Sequence, residues 1–317
     1  MKMYAPQNRE APLIQTYAVR RKILFMLHKF ISTLFLVYIF LGHTVFGEIV
    51  QTSDLNQIEL SLQNTTQDTL VIFDVDDVLA MAQDDILQKH NKKFLEHIEH
   101  EIKKHLTEKD AQKLWSLILL KRKTKPVDSK MISVISNLQS RGIKVLALTN
   151  CGTGPYGHIN HIENWRIQEL KTLGYNFKKS WPLTKPQFFN HLSPHDPIRL
   201  PLFKNGIIFT CNLSKGAVLK AFLDHVIFHP KQIIFIDDKK KHLQSVEEYA
   251  KNAGIKFFGF EYRGASPRSH RPLDTKRAQL QFEMLEKDHV WLNDQDADLY
   301  LKNNTLEEIA HASRDFD

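Results

Sequence analysis

Continuous apolar runs alternate along this chain with stretches in which apolar residues recur every three or four positions. Thr69-Leu70-Val71-Ile72-Phe73, flanked by Asp68 and Asp74, is such a run and predicts a strand buried on both faces of a parallel sheet. Ile143 to Leu148, Gly206 to Thr210, Gln232 to Ile236 and Ile255 to Phe260 predict further strands. Between them, Met131 to Leu138, residues 164–173, Lys215 to Val226 and Leu243 to Asn252 predict helices. Gly142, Gly174 and Gly254 sit where three of these helices should stop, Gly142 reading as a left-handed terminator. This alternation predicts an α/β fold with a doubly wound parallel sheet over residues 69–264. From Asp84 to Lys121 the apolar positions Ile86, Leu87, Phe94, Leu95, Ile98, Ile102 and Leu106, then Leu114 to Ile118, predict two amphipathic helices. They form a small helical insertion, about 84–125, after the first strand. Residues 181–204 have no period and read as an irregular excursion. Residues 265–317 add a basic link and helical segments around Leu280 to Leu285 and Leu306 to Ala312. No internal repeat or low-complexity tract is present.

Charge placement changes the picture at the front. The formal net charge is +7, but residues 1–47 carry Lys2, Arg9, Arg20, Arg21, Lys22 and Lys29 against one acid, Glu10. The remainder is close to neutral, so a nucleic-acid footprint loses its support and no nucleic-acid partner is expected. Phe30 to Gly42 is almost wholly apolar, follows Lys29 and leads into Val45-Phe46-Gly47, which predicts an export signal cleaved after Gly47. The apolar core is short for a permanent span, so membrane attachment is expected only if the segment stays uncleaved as an anchor. A start at Met26 instead of Met1 would give a signal of ordinary length. Residues 48–68 are polar, with Leu55, Ile58, Leu60 and Leu62 interspersed, and read as a lead-in segment or short helix. Cys151 and Cys211 each follow a predicted strand; a disulfide between them and two buried thiols are both open.

In an open parallel sheet the carboxyl ends of the strands share one crevice, so polar residues just after strand runs converge. Four places stand out. Asp74-Val75-Asp76-Asp77 follows the first run, Thr149-Asn150 the second, Lys215 opens a helix, and Asp237-Asp238 follows Ile233-Ile234-Phe235-Ile236. Adjacent buried carboxylates repel unless a cation joins them, which marks Asp237 and Asp238 as metal ligands. Clustered carboxylates without interleaved Cys or His suit a hard cation, and magnesium is the natural choice. Lys220 competes with Lys215 but lies deeper in its helix, on a solvated face. His158, His161 and Arg166 read as surface residues, and Lys239-Lys240-Lys241 as a solvated run.

These four elements, in this order, resemble the motifs of the haloacid dehalogenase superfamily, and the wording around Gly206 to Lys215 resembles a bacterial domain of unknown function within it. The resemblance covers residues 69–260 and is looser at Val78. It implies a Rossmann-like core with the insertion as a cap. Asp74 would be the nucleophile that forms an aspartyl-phosphate, and Asp76 the acid and then the base. Thr149 would bind a phosphoryl oxygen and Lys215 would neutralise charge. Magnesium would be held by Asp74, the Asp76 carbonyl and Asp237, with Asp238 as ligand or just behind. The expectation is therefore an exported, magnesium-dependent phosphatase acting on a small phosphorylated substrate. Its rivals are a phosphotransferase and a catalytically idle secreted binding protein that keeps the fold.

Overall fold

The computed structural model describes residues 47–192, 199–266 and 272–303. The predicted export segment, its cleavage point's upstream side and the predicted helix around Leu306 to Ala312 lie outside them. β1 (Gly47–Thr52) leads to α1 (Leu55–Gln63), capped by the Asp54 carboxylate, which accepts from the Asn56 amide. β2 (Thr69–Phe73) is buried at every residue. β3 (Ala80–Ala82) and β4 (Thr124–Pro126) pair antiparallel, and between them run α2 (Lys92–Lys103) and α3 (Glu108–Lys121). Then come α4 (Lys130–Ser140), β5 (Lys144–Thr149), α5 (Ile162–Thr172) and three short strands, β6 (Gln187–Phe188), β7 (Leu202–Lys204) and β8 (Ile207–Phe209). α6 (Lys215–His225), β9 (Gln232–Asp237), α7 (Lys240–Asn252), β10 (Lys256–Tyr262) and α8 (Thr275–Asp288) follow. Residues 294–303 are again helical.

The result is a mixed α/β fold on one mostly parallel sheet, ordered β1-β10-β9-β2-β5-β8-β7-β6. Every pairing from β1 to β8 is parallel; β7 and β6 add on antiparallel. The alternating residues of each strand explain why the runs read as continuously apolar. Val71 and Phe73 join one apolar cluster with α1 and α4, while Leu70 and Ile72 join another with α6 and α7. α6 and α7 approach so closely that a Cβ on Gly216 would stand 2.0 Å from the Ser245 carbonyl oxygen.

The structure adds to the expectations at three places. The lead-in segment is an edge strand plus a helix, β1 pairing Gly47 with Phe257 and onward to Thr52 with Tyr262. Its partly exposed residues gave it no strand pattern to read. The stretch 181–204 is not wholly irregular, since β6 and β7 extend the sheet. The insertion does not stand alone: Ile86, Ile102, Leu114 and Ile118 share one apolar cluster with Ala278, Phe282, Leu285 and Trp291. Asp84 fastens this joint by accepting from Trp291 Nε1 at 3.0 Å and from the Asp294 amide at 3.1 Å.

Candidate active site

The chain builds β2, moves outward through β5 to β8, then returns to lay β9 on the other side of β2. The carboxyl ends of β2, β5 and β9 therefore open into one crevice at the point where the strand order reverses. Asp74 follows β2 directly, its amide donating to the Ile236 carbonyl at 2.9 Å, so it stands level with the end of β9. Asp77 then takes a left-handed backbone, φ 63°, which Asp tolerates, and Leu79 closes the turn on the Val75 carbonyl at 2.9 Å.

Lys215 is the centre of the site. Its ammonium, fully buried, lies 2.7 Å from Asp74 Oδ1 and 2.7 Å from Asp237 Oδ2. Burial opposes its charge, but the two carboxylates outweigh burial and raise its pKa. Burial pushes the Asp74 carboxyl up to about 8, with Lys215 pulling against the rise and Asp237 adding to it. Burial acts on Asp237 in the same sense, yet Lys215 and His242 win and hold it below the usual carboxylate range. His242, in the first turn of α7, has Nδ1 3.2 Å from both Asp237 oxygens. Asn150 accepts from the Thr210 hydroxyl at 2.8 Å and so turns its amide nitrogen to His242 Nε2 at 3.4 Å. That chain assigns the proton to Nδ1, which donates to Asp237. Asp74, Asp237 and His242 offer ligand atoms that all lie within 4.8 Å of one another.

The remaining expected residues are near but differently engaged. Asp76, its side chain 50% exposed, meets Arg166 Nη2 at 2.9 Å. Desolvation raises its carboxyl, but Arg166, with Arg122 and Lys239 behind it, outweighs that and lowers it. Arg166 is thus no surface residue: it is buried between Asp76 and Glu169, and Glu169 also holds Arg122 at 3.1 Å. Asp238 is buried with Oδ2 2.6 Å from Lys89 Nζ, while its Oδ1 has no hydrogen-bond partner. Burial, then Asp238 and Asp76, push Asp77 up to about 6. Thr149 is fully buried beside the turn after Asp74, its hydroxyl accepting from the Cys151 amide at 3.2 Å. Lys220 is exposed and pairs with Asp224, and His158 and His161 are exposed, as their sequence positions suggested. Cys151 and Cys211 are both thiols, and burial pushes Cys151 up to about 11. The sequence reading passed over Lys89 and His242. His242 had a findable signal, five residues past a strand-end acid at a helix start. Lys89 reaches Asp238 from the insertion and had none.

Fold and site together define an α/β protein with a buried lysine–carboxylate centre at the strand-reversal edge of a mostly parallel sheet. The chain belongs to the family described as "Protein of unknown function (DUF2608)", which matches residues 51–298. It is similar to an uncharacterized protein of Rickettsia prowazekii, 25% identical over 269 residues, 84% of this chain and 95% of that one. An uncharacterized protein of Rickettsia bellii is 23% identical over 250 residues, 75% of this chain and 85% of its own. A Chlamydia pneumoniae protein named "Putative outer membrane protein" is 22% identical over 163 residues, 51% of this chain and 55% of its own. No solved structure matches the chain. These findings correct the superfamily assignment made from the four motifs: the matching family has no stated activity, and nothing among the relatives points to the haloacid dehalogenases. Short motifs after strands arise wherever parallel strands end in a polar crevice, so their order alone did not fix ancestry. Among the described residues, no helix is long and apolar enough to cross a membrane.

Proposed function

We propose that the chain is a magnesium-dependent phosphomonoester hydrolase in which Asp74 is the nucleophile, on a doubly wound sheet with the insertion as a cap over the crevice. The observation that carries this reading is the buried Lys215 ammonium held between Asp74 and Asp237 at 2.7 Å on each side. A lysine so placed fixes the nucleophile's orientation and puts positive charge where phosphoryl oxygens gather charge in the transition state.

The donor set fits a hard divalent cation. Carboxylates of Asp74 and Asp237 converge, Asp238 Oδ1 is buried without a partner, and Asp74 at about 8 needs more positive charge than Lys215 alone to ionise at neutral pH. Asp74, Asp237, Asp238 and the Asp76 carbonyl would hold it. When bound, the cation supplies charge neutralisation over the phosphoryl oxygens and the nucleophile. Asp74 then attacks phosphorus, the ester P–O bond breaks, and a water later cleaves the Asp74–phosphoryl bond to release phosphate. Asp76, ionised beside Arg166, suits the base that takes the water's proton. Its acid role toward the leaving oxygen requires the Arg166 contact to break first.

Export is part of the same reading, supported by the apolar stretch Phe30 to Gly42 and by the name of the Chlamydia relative. A second reading, a binding protein without turnover, gains from the ion pairs Lys89–Asp238 and Arg166–Asp76, which engage two of the acids. Incubation of the full chain with a panel of phosphate esters, with magnesium or chelator, separates the two. Magnesium-dependent phosphate release, lost in Asp74→Asn, and an acid-quenched phosphoryl adduct on Asp74 are expected. A folded, metal-binding protein that hydrolyses no ester in the panel would favour the binding protein.

A further inference from the structure

Beside the crevice lies a cavity of about 230 Å³ walled by Leu119, Pro155, Tyr156, Ile162, Trp165 and Arg166. It adjoins the proposed reaction centre through two residues of its wall. Arg166 lines the cavity and reaches Asp76 at 2.9 Å, and Cys151, also in its wall, lies two residues past Thr149. We propose that this cavity seats the alcohol portion of the substrate and that this portion is an aromatic ring system, which makes the substrate an aryl phosphate. The inference rests on the phosphomonoesterase reading and adds to it the class of leaving group.

Size and chemistry both select a ring. An apolar cavity of about 150 Å³ already holds benzene, so this volume suits one substituted or fused ring. Trp165 in the cavity wall is held in place by two cations over its ring, the Arg166 guanidinium 4.9 Å and the Arg122 guanidinium 5.4 Å from its centre. Tyr156, Leu119 and Ile162 supply the other apolar faces. The described lining contains no carboxylate and no imidazole; its polar side chains are Arg166, Arg199, Asn212, the Tyr156 hydroxyl and Thr153, whose hydroxyl is already donated to the Leu200 carbonyl at 2.8 Å. A sugar or polyol would find few side-chain acceptors there, the Asn212 amide oxygen and the Tyr156 hydroxyl, for its several hydroxyls, which disfavours it. An aromatic ring loses nothing of that kind and gains contact with Trp165 and the edge of the guanidinium.

Gly152 tests the assignment. It lines the cavity, and a Cβ built on it meets nothing within 4 Å, so a larger side chain takes up open space at the cavity wall without pressing on the protein. The full chain, Gly152→Ala and Gly152→Leu would be assayed with 2-naphthyl phosphate and glycerol phosphate, and their binding of 2-naphthol followed by its fluorescence. The expected result is a preference for the naphthyl ester, and a loss of kcat/KM in Gly152→Leu about tenfold greater for that ester than for glycerol phosphate, with Gly152→Ala between. Binding of 2-naphthol should weaken in the same order. Preference for glycerol phosphate, or equal loss on both esters, would overturn the proposal. If no ester is hydrolysed, the phosphomonoesterase reading falls. In that case 2-naphthol binding graded by the Gly152 series still supports the ring site, and absent or ungraded binding removes it.

Discussion

Replacing Lys215 with Met keeps most of the side chain's length and apolar stem and removes its charge, which isolates what the ammonium does. In the native protein it makes two charge-assisted contacts of 2.7 Å inside a fully buried centre. Without it, Asp74 and Asp237 face one another with ligand atoms no more than 4.8 Å apart. Two unit charges at that separation repel by about 3.5 kcal/mol at an effective dielectric of about 20. Breaking one partner out of a buried pair costs about 3–5 kcal/mol in measured systems, which sets the loss where Asp74 holds its proton, and the repulsion adds to it as Asp74 ionises. The protein can escape the repulsion by keeping a proton on Asp74, and that choice gives the loss a pH signature. Asp74 is held above its unfolded value of 3.8, so its contribution to stability is full below that value and drains away as pH rises through about 8. Lys215 is the group that holds this rise in check. In Lys215→Met the native carboxyl therefore keeps its proton to higher pH, and the drain continues beyond the point where the native protein levels off. The assay is urea unfolding in chelator, followed by tryptophan fluorescence, at pH 6, 7, 8 and 9. The expected stability gap is about 3–5 kcal/mol at the lower pH values, widening above pH 8 by up to about 1.4 kcal/mol per pH unit. A gap below about 1 kcal/mol, or one that does not widen between pH 8 and 9, would refute the buried bridge as described.

Arg166→Gln removes the main influence lowering the Asp76 carboxyl, so that pKa should rise, seen as a higher midpoint in carboxylate carbon NMR titration and as an acid limb of the rate profile moved to higher pH. An unmoved midpoint would show that Arg166 does not govern Asp76. Gly216→Ala forces a methyl against the Ser245 carbonyl and should cost about 1–3 kcal/mol in thermal unfolding. A cost within about 0.5 kcal/mol would mean that α6 and α7 separate easily.

The parts of the fold that were legible in the sequence are those whose environment is uniform. β2, β5 and β9 are covered on both faces, so each reads as an unbroken apolar run, and Gly142 ends α4 with φ +77° as its position suggested. β1 was not legible because it lies at the sheet edge with most of its residues partly exposed. β6 and β7 were hidden by their brevity, two and three residues. The same division holds in the site. Asp74, Lys215 and Asp237 lie directly at strand or helix ends, and their meeting follows from the topology of a parallel sheet. Arg166 reads as an ordinary helix residue until Asp76 and Glu169 are seen on either side of it, and Lys89 acts at 149 residues' separation from Asp238. Contacts of that range leave no local pattern.

The joint between the insertion and α8 bears on the order in which the protein can be completed. Ile86, Ile102, Leu114 and Ile118 become a sealed core only when Phe282, Leu285 and Trp291 arrive, although the sheet and the Lys215 centre need nothing beyond β10. During synthesis the insertion helices therefore wait with an uncovered apolar face after Asp74, Lys215 and Asp237 can already meet. Burial of the insertion is thus timed by the chain downstream of the sheet, and damage there would leave its apolar face open to water beside a formed Lys215 centre.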